Sequence, residues 1–242
     1  MDWAPLEITF KTRAMIPTPI ERFQEKLAVG LNLMLCYKNM LIKENDSTFY
    51  NFLNAYEKVQ AFTLLDFDRA FLLFQAVQAT KNIAGSTMEC GVYRGGSSII
   101  IAINDPNKCH YALDTFSGFP DIACEFDTHE EGQFADVQFS EVQRLFSCFE
   151  NIIVMKGLFS DSFKKLINEK LSFVYCDADL YRSTMECCTF CYSRLSKGGI
   201  MLFDDYLIGD TLGVKKAVDE FFCNKPEFPI ILPTCQALVT KL

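Results

Sequence analysis

The chain predicts an α/β fold on a mostly parallel sheet, and three observations carry that expectation. From Thr87 onward, strand-like apolar runs alternate with helical periodicity, the order that builds parallel sheets. Two of those runs, residues 172–176 and 198–203, each end in acids, Asp177-Ala178-Asp179 and Asp204-Asp205. Between them Tyr181, Met185, Cys188, Tyr192 and Leu195 recur at helix-face spacing, so the stretch reads as strand–helix–strand with a right-handed crossover. Neighbouring parallel strands place their carboxylates at one carboxyl-terminal edge, where open α/β sheets bind ligands. Four Asp at one edge repel each other unless a cation or a raised pKa relieves the charge, and a divalent metal is the economical answer.

Taken in order, residues 1–20 hold Pro5, Pro17 and Pro19 and read as a loosely held arm. Phe23, Leu27, Leu31, Met34 and Leu35 share one face of a helix expected over residues 20–43. A second helix starts behind Asn45-Asp46-Ser47. A third starts after Asp66 or Asp68, carries Phe71, Leu72, Phe74, Ala76 and Val77, and is stopped by Gly85. Residues 1–85 thus form a helical N-terminal extension, a lid or an interface, and residues 86–242 form the ligand-binding domain. In that domain residues 87–92 are the first strand, and a helix starts near Gly95-Gly96-Ser97-Ser98. Residues 110–113 are the second strand, tipped by Asp114.

The acidic segment 115–136 is a loop of a length that is usually functional. A helix over 137–149, a strand over 152–155 and a short helix over 160–169 follow. After the two acid-tipped strands come a helix over 211–223 and two apolar runs parted by Pro233-Thr234. That spacing predicts a terminal hairpin whose last strand runs antiparallel to the rest.

Composition narrows the class. Half of the 242 residues are hydrophobic, 22% are charged, and the formal charge of −8 argues against nucleic acid. No basic run suggests a membrane surface, and no apolar run approaches the ~20 residues of a membrane span. Most of the eleven Cys stand singly in apolar segments and the count is odd, which predicts buried thiols in a reducing, cytoplasmic compartment. Cys187, Cys188 and Cys191 share a helix with no matching second Cys or His pair, so they read as core thiols and not a zinc site.

Two motifs precede the acid tips. Glu89-Cys90-Gly91-Val92-Tyr93-Arg94-Gly95-Gly96-Ser97-Ser98 sets an acid and backbone-exposing glycines before a helix amino terminus. Asp114 follows about twenty residues on, the spacing at which an acid meets ribose hydroxyls in doubly wound folds. Together they point to a ribose-bearing cofactor. The bland readings are an ordinary glycine turn and a solvated strand-end Asp. Asp177-Ala178-Asp179 likewise has a bland reading, a helix-capping turn before Tyr181.

Glu89-x-Gly91-Val92-x-Arg94-Gly95-Gly96, Asp114-Thr115-Phe116-Ser117-Gly118-Phe119-Pro120, Asp177-x-Asp179-x-Tyr181-x-Ser183-Thr184 and Gly198-Gly199 with Asp204-Asp205-Tyr206 together resemble the macrocin O-methyltransferase (TylF/MycF-like) family. The resemblance covers roughly residues 60 to 242, with Thr63-Leu64-Leu65 and Arg69 as a looser upstream match. It implies a class I methyltransferase (Rossmann-like) sandwich with a seven-stranded, mostly parallel sheet. It also implies methyl transfer from S-adenosylmethionine, assisted by Mg²⁺, to a hydroxyl of a sugar or other vicinal diol. Asp177, Asp204 and Asp205 would be the metal ligands and Asp179 the general base. Thr63, Glu89, Gly91, Arg94, Asp114, Ser117, Ser160 and Asp177 would be the cofactor contacts, with residues 157–160 against the adenine.

His129 reads as an exposed loop His and the second candidate base, His110 as structural. The partner is then a small hydroxylated molecule, with homo-oligomerisation left open. The alternatives are a glycosyltransferase holding a nucleotide diphosphate metal on Asp177 and Asp179, and a non-catalytic scaffold on the same fold.

Overall fold

The computed structural model describes residues 47–242 apart from 121, 123 and 124. The helix expected over residues 20–43 lies outside the described residues. The chain divides between Tyr50 and Asn51 into two units, and the second, Asn51–Leu242, carries the sheet. The described elements run from helix α1 (Ser47–Val59) and helix α2 (Phe67–Ala79) into an alternation of strands and helices. That alternation is β1 (Ser86–Cys90), α3 (Gly96–Asn104), β2 (His110–Asp114), α4 (Phe139–Phe146), β3 (Ile152–Lys156) and α5 (Phe159–Lys165). It continues with β4 (Leu171–Cys176), α6 (Tyr181–Tyr192), β5 (Leu195–Phe203), α7 (Leu212–Phe222), β6 (Ile230–Ile231) and β7 (Ala237–Thr240).

The strands form one sheet in the order β3-β2-β1-β4-β5-β7-β6. β1 to β5 are parallel; β7 runs antiparallel to β5, and β6 pairs with β7 as the expected terminal hairpin. The connection order reverses between β1 and β4, which makes their carboxyl ends the switch point of the sheet.

Helices cover both faces, α2 and α3 on one side and α5, α6 and α7 on the other. β4 is accordingly buried at every residue, as a parallel strand with two covered faces must be. Cys187, Cys188 and Cys191 are wholly buried on α6 and act as core fillers; burial raises each thiol well above its usual range. Phe52 of α1 packs its ring 5.0–5.6 Å from those of Phe67, Phe71 and Phe74, fixing α2 in place. Among the described residues no helix is long and apolar enough to cross a membrane.

Two boundaries differ from expectation. α2 stops at Ala79, not at Gly85, because the Thr80 hydroxyl donates back to the Val77 carbonyl at 3.0 Å. Gly85 instead admits the close crossing at the entry to β1: a Cβ there would lie 2.8 Å from the backbone of Lys170 and Leu171. β5 begins at Leu195, three residues before Gly198, and its register with β4 shifts between Leu195 and Ile200.

Phe203 is fully buried at the centre of the sheet, with its ring 6.1 Å from that of Phe222. Phe203→Ala is therefore expected to lower the unfolding free energy by about 3–5 kcal/mol in urea titrations. A loss well below that range would mean this layer is not close-packed.

Candidate functional site

At the switch point the strand exits nearly touch. The Gly91 N–H donates to the Leu113 carbonyl, that of Asp177 to Cys90 and that of Asp204 to Cys176, each at 2.9 Å, so the ladder runs one step beyond the strands. Gly91 has φ +96°, and a Cβ there would lie 1.7 Å from the Asp177 carbonyl oxygen. Only glycine fits. Each of the four exits also bends through one non-glycine residue of positive φ: Tyr93 (50°), Phe116 (49°), Asp179 (55°) and Asp205 (51°).

Asp114 binds the first two exits together. Its Oδ2 accepts the N–H groups of Val92 (2.7 Å) and Tyr93 (2.9 Å), and its Oδ1 that of Phe116 (2.7 Å). Above the exits lies a cavity of about 550 Å³. Gly91, Asp114 and Ser160 line one part of it, the acids another, and Phe62, Leu64, Phe119 and Phe134 give apolar wall.

Asp177, Asp179 and Asp205 each bring a carboxylate oxygen within 4.8 Å of the others. All three are half-buried, open to the cavity and otherwise walled by protein. Burial, followed by the charges of its two neighbours, pushes the Asp177 carboxyl well above its usual range. Burial and the Asp205 charge raise Asp179 from 3.8 to about 8. Asp204 stands apart: it is 1% exposed, ion-paired to Arg69 and bonded to Gln236 Nε2 at 2.7 Å. Strand alternation sends it, like Leu202, to the face that α2 covers, while the left-handed turn at Asp205 returns that carboxylate to the cavity. Three oxygen donors of this kind suit a hard divalent cation with open positions.

Of the residues expected from sequence, Thr63, Gly91, Asp114, Ser160, Asp177, Asp179, Asp204 and Asp205 all line the cavity. Three others do not. Glu89 has the strand parity that turns it beneath the glycine loop, fully buried, where it accepts from the Ser98 hydroxyl and faces His110 Nε2 at 3.7 Å. Arg94 is turned outward and pairs with the exposed Asp136 at 2.9 Å. Ser117 is exposed, its N–H donated to Thr115 Oγ1. His129 is half-buried, not exposed: its Nδ1 meets Gln133 at 3.1 Å and its ring lies 5.1 Å from Phe119. His110 is structural, bonded to Thr87 Oγ1 at 2.9 Å.

Three site residues escaped sequence reasoning. Asp127, in the long loop, accepts the Tyr181 N–H at 2.9 Å and so caps α6, whose own N-cap residue Leu180 has no capping side chain. Asp177-Ala178-Asp179 is thus free of the capping role. Gly213 leaves room for that contact, since a Cβ there would lie 2.0 Å from Asp127 Oδ1. The buried Tyr175 hydroxyl and Gln236 complete the set. The one available signal was Leu180, a poor N-cap that leaves the first-turn N–H groups needing an acceptor from elsewhere.

Comparison with known proteins agrees with this fold. A family model described as macrocin-O-methyltransferase (TylF) matches residues 59–227. The chain is 29% identical over 181 residues to mycinamicin III 3''-O-methyltransferase of Micromonospora griseorubida, covering 66% of this chain and 70% of that one. It is 28% identical over 179 residues to demethyldecarbamoylnovobiocin O-methyltransferase of Streptomyces niveus, covering 66% and 68%. Among solved structures the O-methyltransferase NovP superposes with a TM-score of 0.67 at 25% identity, over 74% of this chain and 82% of that one. Calicheamicin methyltransferase CalS11 shares the fold, with a TM-score of 0.63 at 17% identity over 79% and 91%.

Two outcomes follow from the acids. Folding raises the Asp179 pKa from about 4 to about 8, so its stabilising contribution is whole below pH about 4 and is lost as pH climbs through about 8. In chelator, the melting temperature of the wild type should therefore fall across that window relative to Asp179→Asn; parallel pH profiles would refute the shift. Asp127→Ala should cost about 0.5–2 kcal/mol in urea titrations by uncapping α6, and Asp127→Asn clearly less. Equal losses would assign the effect to charge instead of the cap.

Proposed function

The chain belongs to the macrocin O-methyltransferase family, and we propose that it moves the methyl group of S-adenosylmethionine to a hydroxyl oxygen of a sugar or other vicinal diol on a small natural product, with Mg²⁺ assisting. The family's methyl chemistry decides between the enzyme readings weighed from the sequence. The observation that carries the finer reading is the convergence of Asp177, Asp179 and Asp205 at the floor of a cavity whose other part is a glycine-lined switch point.

Each residue has a task in this reading. Gly91 and the loop tied by Asp114 would seat the donor, Asp114 taking a ribose hydroxyl on the acceptor capacity its three N–H bonds leave free. Thr63 and Ser160 lie on the cavity wall within the same binding region. S-adenosylmethionine would supply an electrophilic methyl carbon. Asp177 and Asp205 would hold the cation, with Asp204 beside them. Mg²⁺ there would acidify and orient a chelating diol.

Asp179 would take the hydroxyl proton as the new C–O bond forms; a carboxylate whose proton affinity is raised towards neutrality is a better base than an ordinary one. Phe62, Leu64, Phe119 and Phe134 would exclude water and pack the body of the acceptor. The names of the relatives, which give mycinamicin III and demethyldecarbamoylnovobiocin as the molecules methylated, support a natural product as acceptor.

Incubation with S-adenosylmethionine, Mg²⁺ and a panel of glycosides should yield products heavier by one CH₂, and EDTA should abolish them. Asp179→Asn should lower kcat by about 10²–10⁴-fold while S-adenosylmethionine binding by calorimetry stays near wild type. Undiminished turnover in that variant would remove Asp179 as the base.

A further inference from the structure

The acid cluster already has a cation, and the chain provides it. Arg69 sits in the first turn of α2, where the Asp66 side chain accepts its N–H at 2.9 Å and fixes the start of the helix. Its Nε donates to Asp204 Oδ1 at 3.2 Å, and its Nη2 donates both to Asp204 Oδ2 and, at 2.5 Å, to Asp205 Oδ1. Asp204 cannot follow a moving partner. It is 1% exposed, and its Oδ1 also accepts from Gln236 Nε2 at 2.7 Å. Asp205 is the freer member, 19% exposed. Burial works against the Arg69 charge, but its ion pairs with Asp204 and Asp205 favour the protonated guanidinium.

We propose that Arg69 is a resident stand-in cation, a positioning residue that neutralises the acid cluster while it lacks a divalent ion and competes with that ion for the Asp205 carboxylate. The inference rests on the reading of Asp177 and Asp205 as holding a divalent cation, with Asp179 beside it. A fixed positive charge bonded to Asp205 has two effects. It lowers the cost of folding the acids together, and it lowers their affinity for the ion, because the ion must take an oxygen from Arg69 and sit close to its charge.

Titration of the purified protein with Mn²⁺, read by electron paramagnetic resonance, tests this. Arg69→Gln keeps a hydrogen-bond donor but removes the charge, and should bind Mn²⁺ at least about tenfold more tightly than wild type. In chelator it should melt at a lower temperature, with a larger rise on adding Mn²⁺. Arg69→Lys retains the charge and should stay near wild-type affinity. Equal or weaker Mn²⁺ binding by Arg69→Gln, with wild type binding normally, overturns the stand-in role and leaves the metal reading intact. Absence of Mn²⁺ binding in wild type overturns both.

Should Arg69→Gln not fold, the wild type decides by NMR. Mg²⁺ should shift the Arg69 guanidinium resonances and speed their hydrogen exchange, whereas signals unmoved at saturating Mg²⁺ refute the proposal.

Discussion

Three carboxylates within 4.8 Å of each other on a protein-walled floor set the terms for the rest of the molecule. Their mutual repulsion must be answered by a proton, by a cation, or by both. The fold assembles that answer from distant parts of the chain. β4 and β5 bring Asp177 and Asp205 together by pairing in parallel, α2 delivers Arg69, and Gln236 at the head of β7 steadies Asp204. Burial and the Asp205 charge hold the Asp179 carboxyl at about 8, with Arg69 drawing it down.

The other part of the site depends on close backbone approach in place of charge. With no side chain at Gly91, the exit of β1 lies against the exit of β4, and Asp114 spends three hydrogen bonds holding the neighbouring loops. The long segment after β2 then closes over the sheet edge. It is latched by Asp127 on α6, by Thr128 on the Asp210 carbonyl at 2.8 Å, and by Phe126 under the Lys216 ammonium at 4.8 Å. These three contacts put aromatic residues of that segment in the cavity wall.

Local pattern made much of this legible in the sequence. Apolar runs with acid or glycine punctuation marked β1 to β5, and Pro233-Thr234 marked the final hairpin, because those signals sit within a few residues of what they specify. What could not be read was direction and partnership. Glu89 and Gly91 are neighbours in the motif, yet strand alternation sends Glu89 under the loop to Ser98 and His110. Arg94 found Asp136, and Asp204 found Arg69 across 135 residues; no spacing rule encodes such choices. The end of α2 was misplaced for a related reason: a hydroxyl at Thr80 satisfied the last turn before any glycine was needed.

The bent backbone at Asp179 and Asp205 has a consequence for how these positions can vary. Both hold φ near +50°, a conformation that Asp and Asn tolerate far better than longer or branched residues. Glutamate would keep the charge and strain the chain; glycine would relax the chain and discard the charge; asparagine would suit the geometry and forfeit the proton chemistry. Shape and reactivity thus favour the same short acid at each tip.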